Sequence, residues 1–243
     1  MNAAPALRAL GALGAFAALL TGMVRVPAGD YLPLRGMAAG QRMHVAAFRM
    51  DAHAVTRWEF LAFVHTHPEW QRGRVDAKRA DATYLSDWRG VMDPGDSTDL
   101  RRPVTSVSWH AATAYCEAQG KRLPTTDEWE YVAAASDVRR DASQDRAFMS
   151  RLLEMYASRT ASAPPPVGLG FRNVYGIEGL HGSAWEWTRD FKPEEMTNCA
   201  GAAMGASDPS NYPALLREAF RSALTERSTA RTLGFRCAAS GPA

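Results

Sequence analysis

Cysteine, glutamate and histidine are the residues here whose types and spacing could do chemistry. Cysteine occurs three times, at Cys116, Cys199 and Cys237. Three is odd, so at most one intrachain disulfide forms and one thiol is left over. Cys199 stands beside an Ala-Gly-Ala run with no His or basic residue next to it to activate a thiolate. That context favours a small buried residue over a thiol that binds metal or forms a mixed disulfide. Glu186 lies inside Gly182-Ser183-Ala184-Trp185-Glu186-Trp187. If buried there, its carboxylate must accept hydrogen bonds, from amides of the Gly-rich turn or from an arginine. Arg221 and Arg236 are expected to pair with acidic core residues that the sequence does not identify. His65 and His67 form an i, i+2 pair at a helix end and face different sides. His44, His53, His110 and His181 are single. No H-E-x-x-H, closely spaced His/carboxylate motif, G-x-S-x-G or phosphate loop occurs, so iron or zinc catalysis is unsupported.

The elements that must position these residues belong to a chain of 243 residues, enough for one large domain or two small ones and for a sizeable core. Hydrophobic residues make 46% and charged residues 22%. That balance excludes a disordered chain, a collagen and a polytopic membrane protein. The net charge of +2 gives no electrostatic case for nucleic acid or an anionic membrane as the main partner. Residues 1–22 read as a signal peptide or N-terminal anchor. Arg8 precedes the uncharged run Ala9–Leu20, which is too short to span a bilayer, and Ala15-Phe16-Ala17 offers a cleavage site. Export would place the remainder, 23–243, in the periplasm or outside the cell, where a disulfide can form.

Along 23–243 the pattern predicts a strand, a turn and a strand from Met23, and another strand over His44–Met50. Thr56 and Glu59 form a capping box for a helix over 57–66, ended by Pro68. Residues 71–103 read as a long surface loop. A strand is expected over Pro103–Ser108, followed by a helix over 109–119 capped by Ser108 and closed by Gly120. Thr125 and Glu128 open a helix through about Ala135, and Phe148, Leu152, Leu153 and Tyr156 mark another near 145–157. Tight turns dominate 168–182, a short helix covers Leu215–Phe220, and a terminal strand covers Gly234–Ala238. Short helices mixed with short strands and much loop make the class α+β.

Five segments together resemble the formylglycine-generating enzyme family, also called the sulfatase-modifying-factor family, in the family's own order. They are Met23–Gly29 (MVRVPAG), Met50–Phe63 (MDAHAVTRWEFLAF), Arg102–Ala135 (RPVTSVSWHAATAYCEAQGKRLPTTDEWEYVAAA), Asn173–Asp190 (NVYGIEGLHGSAWEWTRD) and Leu233–Ala238 (LGFRCA). The resemblance implies one compact α+β domain with little regular structure, related to C-type-lectin-like folds, and a groove near the C-terminal third. It also implies a disulfide between Cys116 and Cys237.

Catalytic members resembling this chain oxidise a substrate cysteine to formylglycine with O2 and copper(I) held by two thiolates, ligands soft enough for that ion. The aligned positions are Tyr212 and Arg217, and neither is Cys. Copper is therefore not expected, and Cys199 alone cannot supply two thiolates. A second structural disulfide of some members aligns with Ala133 and Ser222 and is absent as a unit. In members that bind calcium at the W-E-W block, the carbonyls map to Gly182 and Ala184 and the carboxylate to Glu186, oxygen ligands that suit a hard cation. The family's Asp or Asn ligand maps to Gly179, and Ser183 replaces its usual Asn. Trp185, with His181 and Cys199 near it, marks the expected groove.

One branch of the family shares further segments with this chain: His181–Trp187, Cys199–Ala203, Asp208–Tyr212 and Ala219–Ser222. Members of that branch are encoded beside copper nitrite reductases. The expected function is an exported accessory in maturing a periplasmic client such as that enzyme. The alternatives are a formylglycine-generating oxidase acting on a protein Cys or Ser, and a lectin-like module for a peptide or glycan. The oligomeric state is left open.

Overall fold

The computed structural model describes residues 22–33, 41–157, 163–191, 220–221 and 223–241. Its helices start where side chains satisfy the orphaned first-turn amides. In α1 (Arg57–Thr66), Thr56 Oγ1 accepts from Glu59 N at 3.3 Å and the Glu59 carboxylate accepts from Thr56 N at 2.7 Å. The short α2 (Ser97–Leu100) is boxed the same way by Asp96 and Asp99. In α3 (Trp109–Ala118), Ser108 Oγ takes Ala111 N at 3.2 Å. In α4 (Thr126–Ala133), Thr125 and Glu128 form a second complete box. Asp145 Oδ1 accepts from Ala147 N and Phe148 N at the start of α5 (Arg146–Ala157).

Among the described residues, seven short strands make three small sheets. β1 (Met23–Val26), β4 (Phe48–Asp51) and β7 (Ala238–Ser240) form one antiparallel sheet with β4 in the middle. β2 (Gly29–Tyr31) and β3 (Met43–Val45) pair antiparallel, while β5 (Trp185–Glu186) and β6 (Leu233–Gly234) pair parallel. The α+β expectation holds. The strand expected over His44–Met50 is two strands in two sheets, broken at 46–47. The terminal strand likewise divides into β6 and β7.

Two expectations fail for a physical reason. Residues 103–108 form no strand, because Ser106 takes φ 55°, a left-handed conformation that ends any ladder. The segment's amides go elsewhere instead, Val104 N to Val55 O and Ser106 N to Ala230 O. Residues 71–103 are not simply a surface loop either. Ala80, Tyr84, Leu85 and Trp88 are buried against Phe60, Val107 and Phe235. Each large apolar side chain buried there contributes roughly 1.5–3 kcal/mol, enough to hold a segment whose one regular element is the short α2.

The Cys116–Cys237 disulfide lies inside this first core, with both residues completely buried and their Cα atoms 5.6 Å apart. A second core joins β1 and β4 to α4 and to Ile177 and Leu180. A third, smaller one sits under α5, where Phe148, Met149 and Leu152 meet Phe171. Gly234 is needed where it stands, since a Cβ there would lie 2.5 Å from Val104 O. Without it β6 could not lie so close to the 103–108 segment.

Candidate functional site

The pairing of β5 with β6 fixes Trp185 opposite Leu233 and Glu186 opposite Gly234. Successive residues of a strand point to opposite faces. Glu186 therefore turns inward and Trp185 turns toward α5.

Inward, Glu186 meets Arg236, and both side chains are fully buried. Arg236 Nε donates to Oε2 at 2.8 Å and Nη2 donates to Oε1 at 2.8 Å, a two-pronged contact. Trp129 Nε1 donates to Oε2 at 2.8 Å as well. The rest of the guanidinium is taken up by main chain: Nη2 donates to Glu178 O at 2.9 Å, and Nη1 to Asp51 O at 3.2 Å and Ala52 O at 3.5 Å. Of the donors weighed for a buried Glu186, the arginine is the one found.

This arrangement does not fit calcium. Arg236 already matches the one negative charge that Glu186 would bring to the ion, and Gly179 contributes no side chain. The carbonyls of Gly182 and Ala184 would be left to hold a cation that takes six to eight oxygens. Among the described residues, no group of three or more His, Cys, Asp or Glu is placed to hold a metal. Cys116 and Cys237 are bonded to each other and offer no thiolate. Cys199, Tyr212 and Arg217 lie outside the described residues.

Outward, Trp185 is stacked on both faces. The Tyr156 ring lies 5.5 Å from it at 12°, and the Phe220 ring 4.8 Å at 15°. Tyr156 is held in turn by His181, which the Gly-rich turn delivers to the same place. His181 Nε2 lies 2.9 Å from Ala133 O, a pure acceptor, so Nε2 carries the proton. Nδ1 is then the acceptor for the Tyr156 hydroxyl, also at 2.9 Å. On the far side Arg221 donates to Glu130 Oε1 at 2.6 Å and its guanidinium lies over Trp129, 5.8 Å from the ring centre. The free space between Trp129, Trp185, Phe220 and Arg221 is about 10 Å³, room for about one water. Below this, burial and the Asp127 carboxylate push the Tyr31 hydroxyl up, so it stays a donor to Asp127 Oδ1 at 2.5 Å.

Of the residues expected at the site, the structure thus brings together Trp185, His181, Gly182, Ala184 and Glu186. It adds Tyr156, Arg236 and Trp129, which sequence reasoning did not place there. Tyr156 belonged only to a helical stripe, and Arg236 had no visible partner, since its carboxylate lies 50 positions away. A second polar cluster also escaped notice. Asp51 accepts from Lys121 Nζ at 2.7 Å and from Cys237 N at 2.9 Å beside the disulfide. Burial raises the Asp51 carboxyl above the usual range, with Lys121 acting against it.

Comparison with known proteins agrees with this architecture. The sulfatase-modifying factor enzyme 1-like domain matches residues 12–240. A formylglycine-generating enzyme of Bos taurus is 32% identical over 286 residues, covering 90% of this chain and 75% of the relative. A Mus musculus protein named inactive C-alpha-formylglycine-generating enzyme 2 is 31% identical, covering 63% of this chain and 54% of the relative. The structure of PvdO from Pseudomonas aeruginosa superposes with a TM-score of 0.51 at 17% identity, covering 90% of this chain and 94% of that one, a likeness of fold. The chain belongs to the sulfatase-modifying-factor, formylglycine-generating-enzyme-like family.

Proposed function

We propose that this protein is an exported accessory that acts on a protein client, helping to mature a periplasmic enzyme such as a copper nitrite reductase, and that it does not generate formylglycine. The observation that carries this reading is the filled groove: the chain's own Tyr156 and Phe220 cover both faces of Trp185 and leave about 10 Å³ beside it. A substrate side chain would find that place taken. Tyr212 and Arg217 at the aligned thiolate positions support the same conclusion. So does the existence of a relative whose name calls it inactive. Residues 1–22 support export, and the Cys116–Cys237 bridge suits an oxidising compartment.

The test is a deletion strain. Nitrite reductase activity and its copper content should both fall, and both should return on complementation. Unchanged activity and copper loading would sink the proposal. Conversion of a co-expressed sulfatase-type peptide to its aldehyde form, seen by mass spectrometry, would restore the oxidase reading instead.

A further inference from the structure

A cavity of about 230 Å³ opens away from Trp185, between the 165–171 loop, the 178–183 turn and His53. Its walls are mostly apolar: Pro103, Pro165, Pro166 and Phe171 present C–H surface, and Leu169, at 74% exposed, is also in the lining. The two loops meet through Gly170 and Gly179, where a Cβ on Gly170 would stand 3.3 Å from the Gly179 nitrogen.

The polar side chains of the lining decide what could enter. Arg236 has all five N–H groups committed, to Glu186 and to three carbonyls. His181 donates its one proton to Ala133 O. His53 Nδ1 lies 2.9 Å from its neighbour's carbonyl, Ala54 O, so Nδ1 carries the proton and Nε2 is a bare acceptor. Glu178 is 5% exposed and accepts from Gly168 N and Arg172 Nη2, with lone pairs to spare. The ionised groups cancel in pairs, Glu178 with Arg172 and Glu186 with Arg236. An anionic ligand therefore gains nothing to offset its desolvation, since Arg236 has no donor left for it. What fits is an uncharged molecule with an apolar body and a hydrogen-bond donor.

We infer that this cavity is a binding site for a neutral, donor-bearing aromatic ring, a phenol or an indole, whose O–H or N–H is accepted by His53 Nε2. The ring packs against Phe171 and the proline faces. The inference does not depend on the client reading, because the ring can belong to a free small molecule or to a Tyr or Trp side chain.

The test uses the full chain and four probes, followed by protein-observed NMR: p-cresol, toluene, benzoate and N-acetyltyrosinamide. p-Cresol should bind at least about tenfold more tightly than toluene, and benzoate should not bind. Shifts should be confined to residues 53, 168–171 and 179–183. His53→Phe keeps a ring in place and should cut p-cresol to within about twofold of toluene. Should that variant misfold, the wild-type ranking of p-cresol, toluene and benzoate decides alone. N-acetyltyrosinamide binding as well as p-cresol assigns the ring to a protein side chain, and p-cresol binding alone assigns it to a free molecule. Benzoate binding best, equal binding of toluene, no binding by any probe, or shifts centred on Trp185 and Phe220 would each overturn the inference.

Discussion

Glu186 shows what one carboxylate can be made to do by its surroundings. In water it would be a hydrated charge or a ligand for a cation. Here the cation is supplied from within the chain, and Arg236 ties β5 to the end of β4 and to the 178 carbonyl in one guanidinium plane. Removing one partner of a buried pair leaves the other charge uncompensated, which costs about 3–5 kcal/mol. Glu186→Gln should lose that much in urea denaturation, and neither calcium nor a chelator should move the melting temperature of the wild type. A rise in melting temperature on adding calcium would show that the ion still finds ligands here. The Trp-Glu-Trp block was legible in the sequence because its residue types are unusual together. Its partner was not, since nothing local to Arg236 says which core carboxylate it meets.

Four of the five named helices were legible because their signals are local, while the single-turn α2 lay inside the segment read as a loop. A capping residue and a carboxylate three positions on announced α1 and α4, and Ser108 announced α3. The strands were harder, because elements of two to four residues owe their position to partners far along the chain. The 103–108 segment has the composition of a strand, yet Ser106 turns it to serve Ala230 and Leu85. What α5 does was equally hidden. Its apolar stripe predicted a helix, but not that its last turn would lay Tyr156 over Trp185 with a hydroxyl anchored on His181. Tyr156→Phe keeps the ring and removes that donor. It removes one hydrogen bond to His181, a loss of about 0.5–1.5 kcal/mol. Denaturation of this variant should therefore show a clear destabilisation. A neutral result would mean that the hydroxyl does not hold the ring in place.

At the scale of the molecule, the cores are fastened by links between distant positions. Cys116 and Cys237 are 121 residues apart. Closing a loop of that length restrains the unfolded chain by roughly 4–5 kcal/mol in the chain-entropy model. The double substitution Cys116→Ala with Cys237→Ala should lower stability by about that amount, and reductant should then have no further effect on the variant. A double variant as stable as the oxidised wild type would mean that native packing alone fastens the ends. The pairing itself followed from family resemblance, not from spacing.

The central place of β4, with β1 on one side and β7 on the other, has a consequence for the order of events in the cell. Asp51 and Cys237 are 186 positions apart, yet they are hydrogen-bonded neighbours where that sheet and the disulfide meet. One edge of β4 therefore stays bare until nearly the whole polypeptide has been made. A nascent chain has no way to lock this sheet early, and until its last strand arrives it presents an unpaired strand edge open to non-native pairing.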